Sequence, residues 1–95
     1  MIRLKGISGE VKGKSWESTN VLRAGRLGTL EIVLDDSSVS RRHAEVRPSG
    51  DGFVVLDLGS TNGTRVNGAG LATERRLVDG DTITVGDSSL RFEAS

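Results

Sequence analysis

Short runs in which apolar and polar residues alternate, broken by glycine at close intervals, fill this chain from end to end. A period of two lets one face of an extended segment cover a core while the other meets water, whereas a helix needs apolar residues every three or four positions. Ile2 and Leu4 alternate with Arg3 and Lys5, and Ala44 and Val46 with His43, Glu45 and Arg47. Ile83 and Val85 alternate with Thr82 and Thr84, and Leu90 and Phe92 close the pattern. Phe53-Val54-Val55-Leu56 is apolar without alternation, which predicts a strand buried on both faces or paired centrally. No window of helical length keeps a 3.6-residue period, although Leu71 to Val78 could form a short turn, so almost no helix is expected.

Between the runs stand Asp51-Gly52, Asn62-Gly63, Asn67-Gly68, Asp79-Gly80 and Gly86-Asp87, pairs that suit tight turns. About ten short strands result, with turns every eight to twelve residues, and an all-β antiparallel sandwich is expected in preference to a barrel. A chain of 95 residues without repeat, linker or low-complexity tract reads as one domain, residues 1–95.

Composition narrows the function. Thirteen basic and thirteen acidic residues cancel, so no global field steers the chain toward nucleic acid or anionic lipid, and any anion site must be local. Three aromatics, Trp16, Phe53 and Phe92, give no stacking platform for single strands. The absence of cysteine removes disulfides, thiolate metal sites and cysteine nucleophiles, and a single histidine leaves no multi-histidine metal site. No cofactor or metal is expected. Without a membrane-length apolar stretch or a signal-like apolar region after Met1, a soluble cytoplasmic monomer is expected.

Since sandwiches host many activities, function must come from a site. Polar residues concentrate in Arg23-Ala24-Gly25-Arg26, in Val39-Ser40-Arg41-Arg42-His43-Ala44, and in Gly59-Ser60-Thr61-Asn62-Gly63-Thr64, followed by Val66-Asn67-Gly68. These segments offer guanidinium forks, hydroxyls, a side-chain amide and glycine-flanked backbone amides, the donors a phosphate dianion requires. Arg26 follows a glycine, and its planar fork matches phosphate bidentately. Ser40 can donate its hydroxyl, and Asn62 its amide, either to phosphate or to an extended peptide backbone. Strand alternation points Arg41 and Arg42 in opposite directions, so at most one of them meets a ligand.

Taken in order, Gly25-Arg26, Glu31-Ile32-Val33-Leu34 leading into Ser40-x-x-His43, Leu58 through Thr64, Val66-Asn67-Gly68, Asp79-Gly80-Asp81 and Val85-Gly86 resemble the pattern of a forkhead-associated domain over nearly the whole chain. The resemblance implies an eleven-stranded sandwich whose loops at one end grip phosphothreonine in a partner protein, with a small pocket for the threonine methyl. It implies that Arg26 and Ser40 hold the phosphate, that Thr61 and Asn62 contact the peptide, and that Arg41 lies beside the phosphate loop. Gly25, His43, Gly63 and the turn residue Asn67 are expected to support the site, with His43 bracing the loop that presents Ser40. Ser37 and Ser38 are small and uncharged where the family can select the residue three places after the phosphothreonine, so an acidic preference there would need Arg41 or Arg65.

The expected function is therefore phosphothreonine-dependent binding of a signalling partner, a substrate of a Ser/Thr kinase, with no role for nucleic acid or membrane. The alternative is phosphate-independent assembly through the same fold. An enzyme reading would pair Ser40 with His43, oriented by Asp35 or Asp57, but no nucleophile-elbow sequence surrounds Ser40, and no enzymatic activity is expected.

Overall fold

The computed structural model describes residues 1–94. Eleven strands follow the alternating runs: β1 (Ile2–Ser8), β2 (Ser15–Ser18), β3 (Leu22–Gly25), β4 (Ile32–Val33), β5 (Ala44–Ser49) and β6 (Gly52–Asp57), then β7 (Thr64–Val66), β8 (Ala69–Gly70), β9 (Arg75–Arg76), β10 (Thr82–Val85) and β11 (Ser88–Ala94). One 3-10 turn at Gly9–Val11 is the only helical segment among the described residues. Residues 71–78, read from sequence as a possible helical turn, instead supply the two-residue edge strand β9.

Two sheets face one another, one in the order β2-β1-β11-β10-β7-β8 and the other β4-β3-β5-β6-β9. Inward-pointing positions of both supply the core: Ile2 and Leu4 of β1, Val66 of β7, Ile83 and Val85 of β10, and Leu90 and Phe92 of β11 meet Leu22, Ala24, Ile32, Ala44, Val46 and Val55. At about 25 cal/mol per Å² of apolar surface, each fully buried Leu, Ile or Phe contributes about 1.5–3 kcal/mol against chain entropy. The non-alternating β6 lies between β5 and β9 with both Val54 and Val55 buried, because arginine stems cover the outer face of this sheet.

One pair departs from the antiparallel expectation. β4 runs parallel to β3, with Ala24 opposite Ile32 and Gly25 opposite Val33. The loop of residues 26–31 folds back along β3, where Glu31 Oε1 accepts the Arg23 N–H at 2.8 Å, so the chain re-enters the sheet in its original direction. Strict alternation also fails at Glu45, which faces outward yet is only 8% exposed. Arg23 Nε at 2.9 Å and Arg47 Nη1 at 3.5 Å cover and neutralise its carboxylate.

Candidate functional site

The loops leading out of β3, into β5 and out of β6 gather at one end of the sandwich, and backbone bonds weld them together. Arg26 N–H donates to Ser40 C=O at 3.0 Å and Leu27 N–H to Arg41 C=O at 3.1 Å, while Leu58 N–H donates to His43 C=O at 2.9 Å. Gly25 makes this approach possible. A Cβ at that position would sit 2.2 Å from the Arg41 carbonyl oxygen and 2.9 Å from the Leu30 side chain, so only glycine lets the incoming loop lie on β3.

His43 is fully buried beneath these loops. Its Nδ1 accepts the Ser40 N–H at 3.1 Å and its Nε2 lies 2.8 Å from the Gly63 carbonyl. An acceptor at Nδ1 places the proton on Nε2, which donates to Gly63, so one neutral ring ties the Ser40 loop to the Gly63 loop. Both ring nitrogens are occupied by backbone groups and neither faces the Ser40 hydroxyl, so Ser40 and His43 do not form a nucleophile–base pair in this arrangement.

Ser40 Oγ accepts the Thr61 N–H at 3.0 Å, which fixes the hydroxyl between the two loops and leaves its proton free to donate outward. Asn62 Nδ2 donates to Ser38 C=O at 2.8 Å, a second strap across the same gap. That bond engages one amide hydrogen and leaves the other, with Oδ1, for a ligand. Thr61 is exposed beside it. Arg26 is exposed at the rim, and its guanidinium is paired with no carboxylate among the described residues.

Arg41 and Arg42 are both exposed but serve different surfaces. The Arg41 backbone lies over Gly25, next to Arg26. Arg42 lines a separate depression of about 560 Å³ with Arg23, Thr29, Leu30, Glu31, Glu45 and Leu58 on the five-stranded side.

Asn67 lies elsewhere. It is in the left-handed conformation at φ 53°, at the end of β7 remote from the loops, where its Nδ2 donates to Asp81 Oδ1 and its Oδ1 accepts Thr82 N–H, both at 2.9 Å. Its bonds hold the β7–β8 turn against β10, the turn-forming role expected of it, at the opposite end of β7 from Asn62. An Asn-Gly pair has the same turn chemistry at either end of a strand.

Asp57, read from sequence only as a possible catalytic orienter, is the organiser of the β6–β7 loop. Its carboxylate accepts the N–H groups of Gly59 at 3.0 Å and Ser60 at 2.9 Å, and the hydroxyls of Ser60 at 2.5 Å and Thr64 at 2.7 Å. Burial pushes its pKa up, but the Ser60 and Thr64 hydroxyls and the two backbone amides outweigh that and hold it below the ordinary 3.8. Ser60 Oγ in turn accepts Gly63 N–H at 2.9 Å, which completes the turn that presents Thr61 and Asn62. The spacing Asp-x-x-Ser, an aspartate followed by backbone amides it can cap, was the signal available for this role. Asp36 does the same for the preceding loop, accepting Ser38 N–H at 2.9 Å and Ser38 hydroxyl at 2.8 Å. The backbone bond from Ser38, then the Ser38 hydroxyl, hold its pKa below the ordinary value.

Gly86 is a second position where the loop end requires glycine. A Cβ there would stand 2.4 Å from Ser38 Oγ and 2.7 Å from Val39 Cγ2, so the β10–β11 turn closes on the Ser38 loop only through glycine. Beside it runs a groove of about 380 Å³ lined by Ser38, Asn62, Gly63, Arg65, Thr84, Gly86 and Asp87.

The fold and this loop end define the class: a two-sheet β-sandwich with cross-braced loops gathered at one end. The family model for the FHA domain matches residues 22–86, and the chain belongs to the forkhead-associated domain family. It is 48% identical over 69 residues to an oxoglutarate dehydrogenase inhibitor of Corynebacterium jeikeium, covering 73% of this chain and 47% of that protein. The chain therefore spans about half the length of that relative. Among solved structures, the FhaA FHA domain complexed with the intracellular domain of Rv3910 superposes with a TM-score of 0.85 at 35% identity, over 98% of this chain and all of that one. EmbR of Mycobacterium tuberculosis, in complex with a low-affinity phosphopeptide, superposes with a TM-score of 0.86 at 34% identity, over 99% of this chain and 24% of that one.

Proposed function

We propose that this chain is a phosphothreonine-dependent interaction module that binds a phosphorylated segment of a signalling partner across its loop end. The observation that carries the reading is the pairing of an exposed Arg26 guanidinium, unopposed by any carboxylate among the described residues, with a Ser40 hydroxyl held in place by the Thr61 N–H it accepts. Such a hydroxyl keeps its proton for an outward acceptor such as a phosphate oxygen, and a rim arginine on a braced loop is a preorganised anion site. Thr61 and the free half of the Asn62 amide would engage the peptide, and Arg41 would lie beside the phosphate. Gly25, His43 and Gly63 act through the loops that present these groups.

The matched relatives include regulators and domains solved with a phosphopeptide or a partner domain, which supports a role in binding rather than catalysis. Residues 1–95 would act as one module in the cytoplasm, without cofactor, on a substrate of a Ser/Thr kinase. No helix among the described residues is long and apolar enough to cross a membrane. Charge-assisted hydrogen bonds contribute about 1.5–3 kcal/mol each before association costs, so three or four support a dissociation constant on the order of micromolar.

Fluorescence anisotropy with matched phosphothreonine, phosphoserine and unmodified peptides from a degenerate library tests the proposal. Saturable binding of the phosphothreonine form alone is expected. Equal binding of the unmodified form would favour phosphate-independent assembly instead.

A further inference from the structure

The outer faces of the two sheets handle positive charge differently. On the five-stranded sheet, Arg23 pairs with Glu45 at 2.9 Å, Arg47 with Glu45 at 3.5 Å and Glu74 at 3.6 Å, and Arg76 with Asp51 at 3.7 Å. On the six-stranded sheet only Arg3 is paired among the described residues, with Glu17 at 3.2 Å, and Glu93 stands opposite Arg3 on β11. Nearer the loop end the sheet's cations are unpaired among the described residues, although Glu10 stands beside Ser88 at the start of β11 and Asp87 in the β10–β11 turn. Lys5 of β1 stands directly opposite Arg91 of β11, which stands opposite Thr82 of β10; in the next row Ser89 faces Thr84, which faces Arg65 of β7.

Their exposure and the buried Leu4, Leu90, Ile83 and Val66 between them put Lys5, Arg91 and Arg65 on one solvent face. None of the three has a carboxylate within ion-pair distance among the described residues, and like charges directly opposite one another destabilise a strand pair. Thr82, Thr84 and Ser89 stand between the cations, and Ser15 of β2 flanks Lys5 on the outer side.

This strip is continuous with the loop end. Arg65 and Thr84 line the groove that begins at Ser38 and Asn62, with Asp87 of the β10–β11 turn as the one acidic group at its mouth. At about 4.8 Å per strand and 3.4 Å per residue, Lys5 lies about 16 Å from Arg65, the length of about five extended residues.

We infer that the Arg65–Arg91–Lys5 strip is a second docking surface, taking an acidic segment of the same partner whose phosphothreonine occupies the loops. The inference rests on the phosphothreonine reading for its anchor and on charge complementarity for its occupant. An extended polyanion such as nucleic acid is disfavoured, because the face carries no aromatic ring and its base is neutralised by Glu17 and Glu93.

The test compares a short phosphothreonine peptide with the same peptide extended by a Gly-Ser spacer and four glutamates, on its N-terminal side in one version and its C-terminal side in another. Anisotropy at low salt is expected to show one extended peptide binding about five- to tenfold tighter than the short one, since a few exposed charge pairs supply a factor of that size. The gain should vanish in Lys5→Glu/Arg91→Glu and shrink in Lys5→Gln/Arg91→Gln, with the short peptide unaffected by either. Equal affinity of all three peptides, or a gain that survives charge reversal, overturns the docking surface. So does tighter binding of a single-stranded oligonucleotide than of the glutamate-extended peptide. Failure of even the short peptide to bind would instead refute the phosphothreonine reading, and the two failures are thereby told apart.

Discussion

Arg26 and His43 both bond the backbone of Ser40 yet do opposite kinds of work. Arg26 contributes nothing visible to the fold beyond its backbone bond to Ser40, so Arg26→Ala is expected to abolish phosphopeptide binding while leaving the melting temperature within about 1–2 °C of wild type. Arg26→Lys should restore binding only in part, since an ammonium cannot grip two phosphate oxygens in one plane. His43 works from inside. His43→Ala would strip the partner from Ser40 N–H and from Gly63 C=O and leave a buried void, at a cost of about 2–4 kcal/mol. Thermal unfolding followed by circular dichroism should show a fall of more than about 8 °C, and an unchanged transition would contradict the bracing role. Asp57 contributes through charge: its folded pKa lies below its unfolded one, so its stabilisation is complete above the ordinary carboxylate range and is lost as pH falls through the folded value. Urea midpoints measured from neutral pH down through about pH 3 should therefore fall less steeply in Asp57→Asn than in wild type, from a lower starting point.

At the scale of elements, the loop end depends on two close approaches that admit no side chain. Gly25→Ala forces the Arg41 carbonyl off β3 and should loosen the β4–β5 loop, weakening phosphopeptide binding at least tenfold and exposing that loop to limited proteolysis. Unaltered affinity would mean that the loop tolerates displacement. Much of this was legible beforehand, because alternation in β1, β10 and β11 marks which side chains face inward and because a phosphate site must draw on loop donors that stand out in the chain. What stayed hidden depended on partners distant in sequence. Nothing local to Ile32-Val33 shows that this segment runs parallel to β3, since that follows from how the preceding loop folds back. Asn67-Gly68 reads the same as Asn62-Gly63, and only the pairing of β7 with β10 puts them at opposite ends of one strand. Asp57 looked like a spare carboxylate until the loop closed around it.

The molecule as a whole carries no net charge, so a phosphorylated partner is drawn only by local fields: the rim around Arg26 and the strip along the six-stranded sheet. Affinity for phosphopeptide should consequently fall with added salt, and should fall as pH drops below about 6, where the phosphate takes up its second proton. The central claim is that the loop end, through Arg26 and Ser40, holds the phosphothreonine. Its most direct test is an amide-resolved NMR titration with a phosphothreonine peptide and its unmodified twin. The account predicts that the phosphorylated peptide alone shifts the backbone resonances of Arg26, Ser40, Arg41, Thr61 and Asn62, with Asn67 at the far end unmoved. Identical shifts from both peptides, or shifts that leave Arg26 and Ser40 in place, would contradict it.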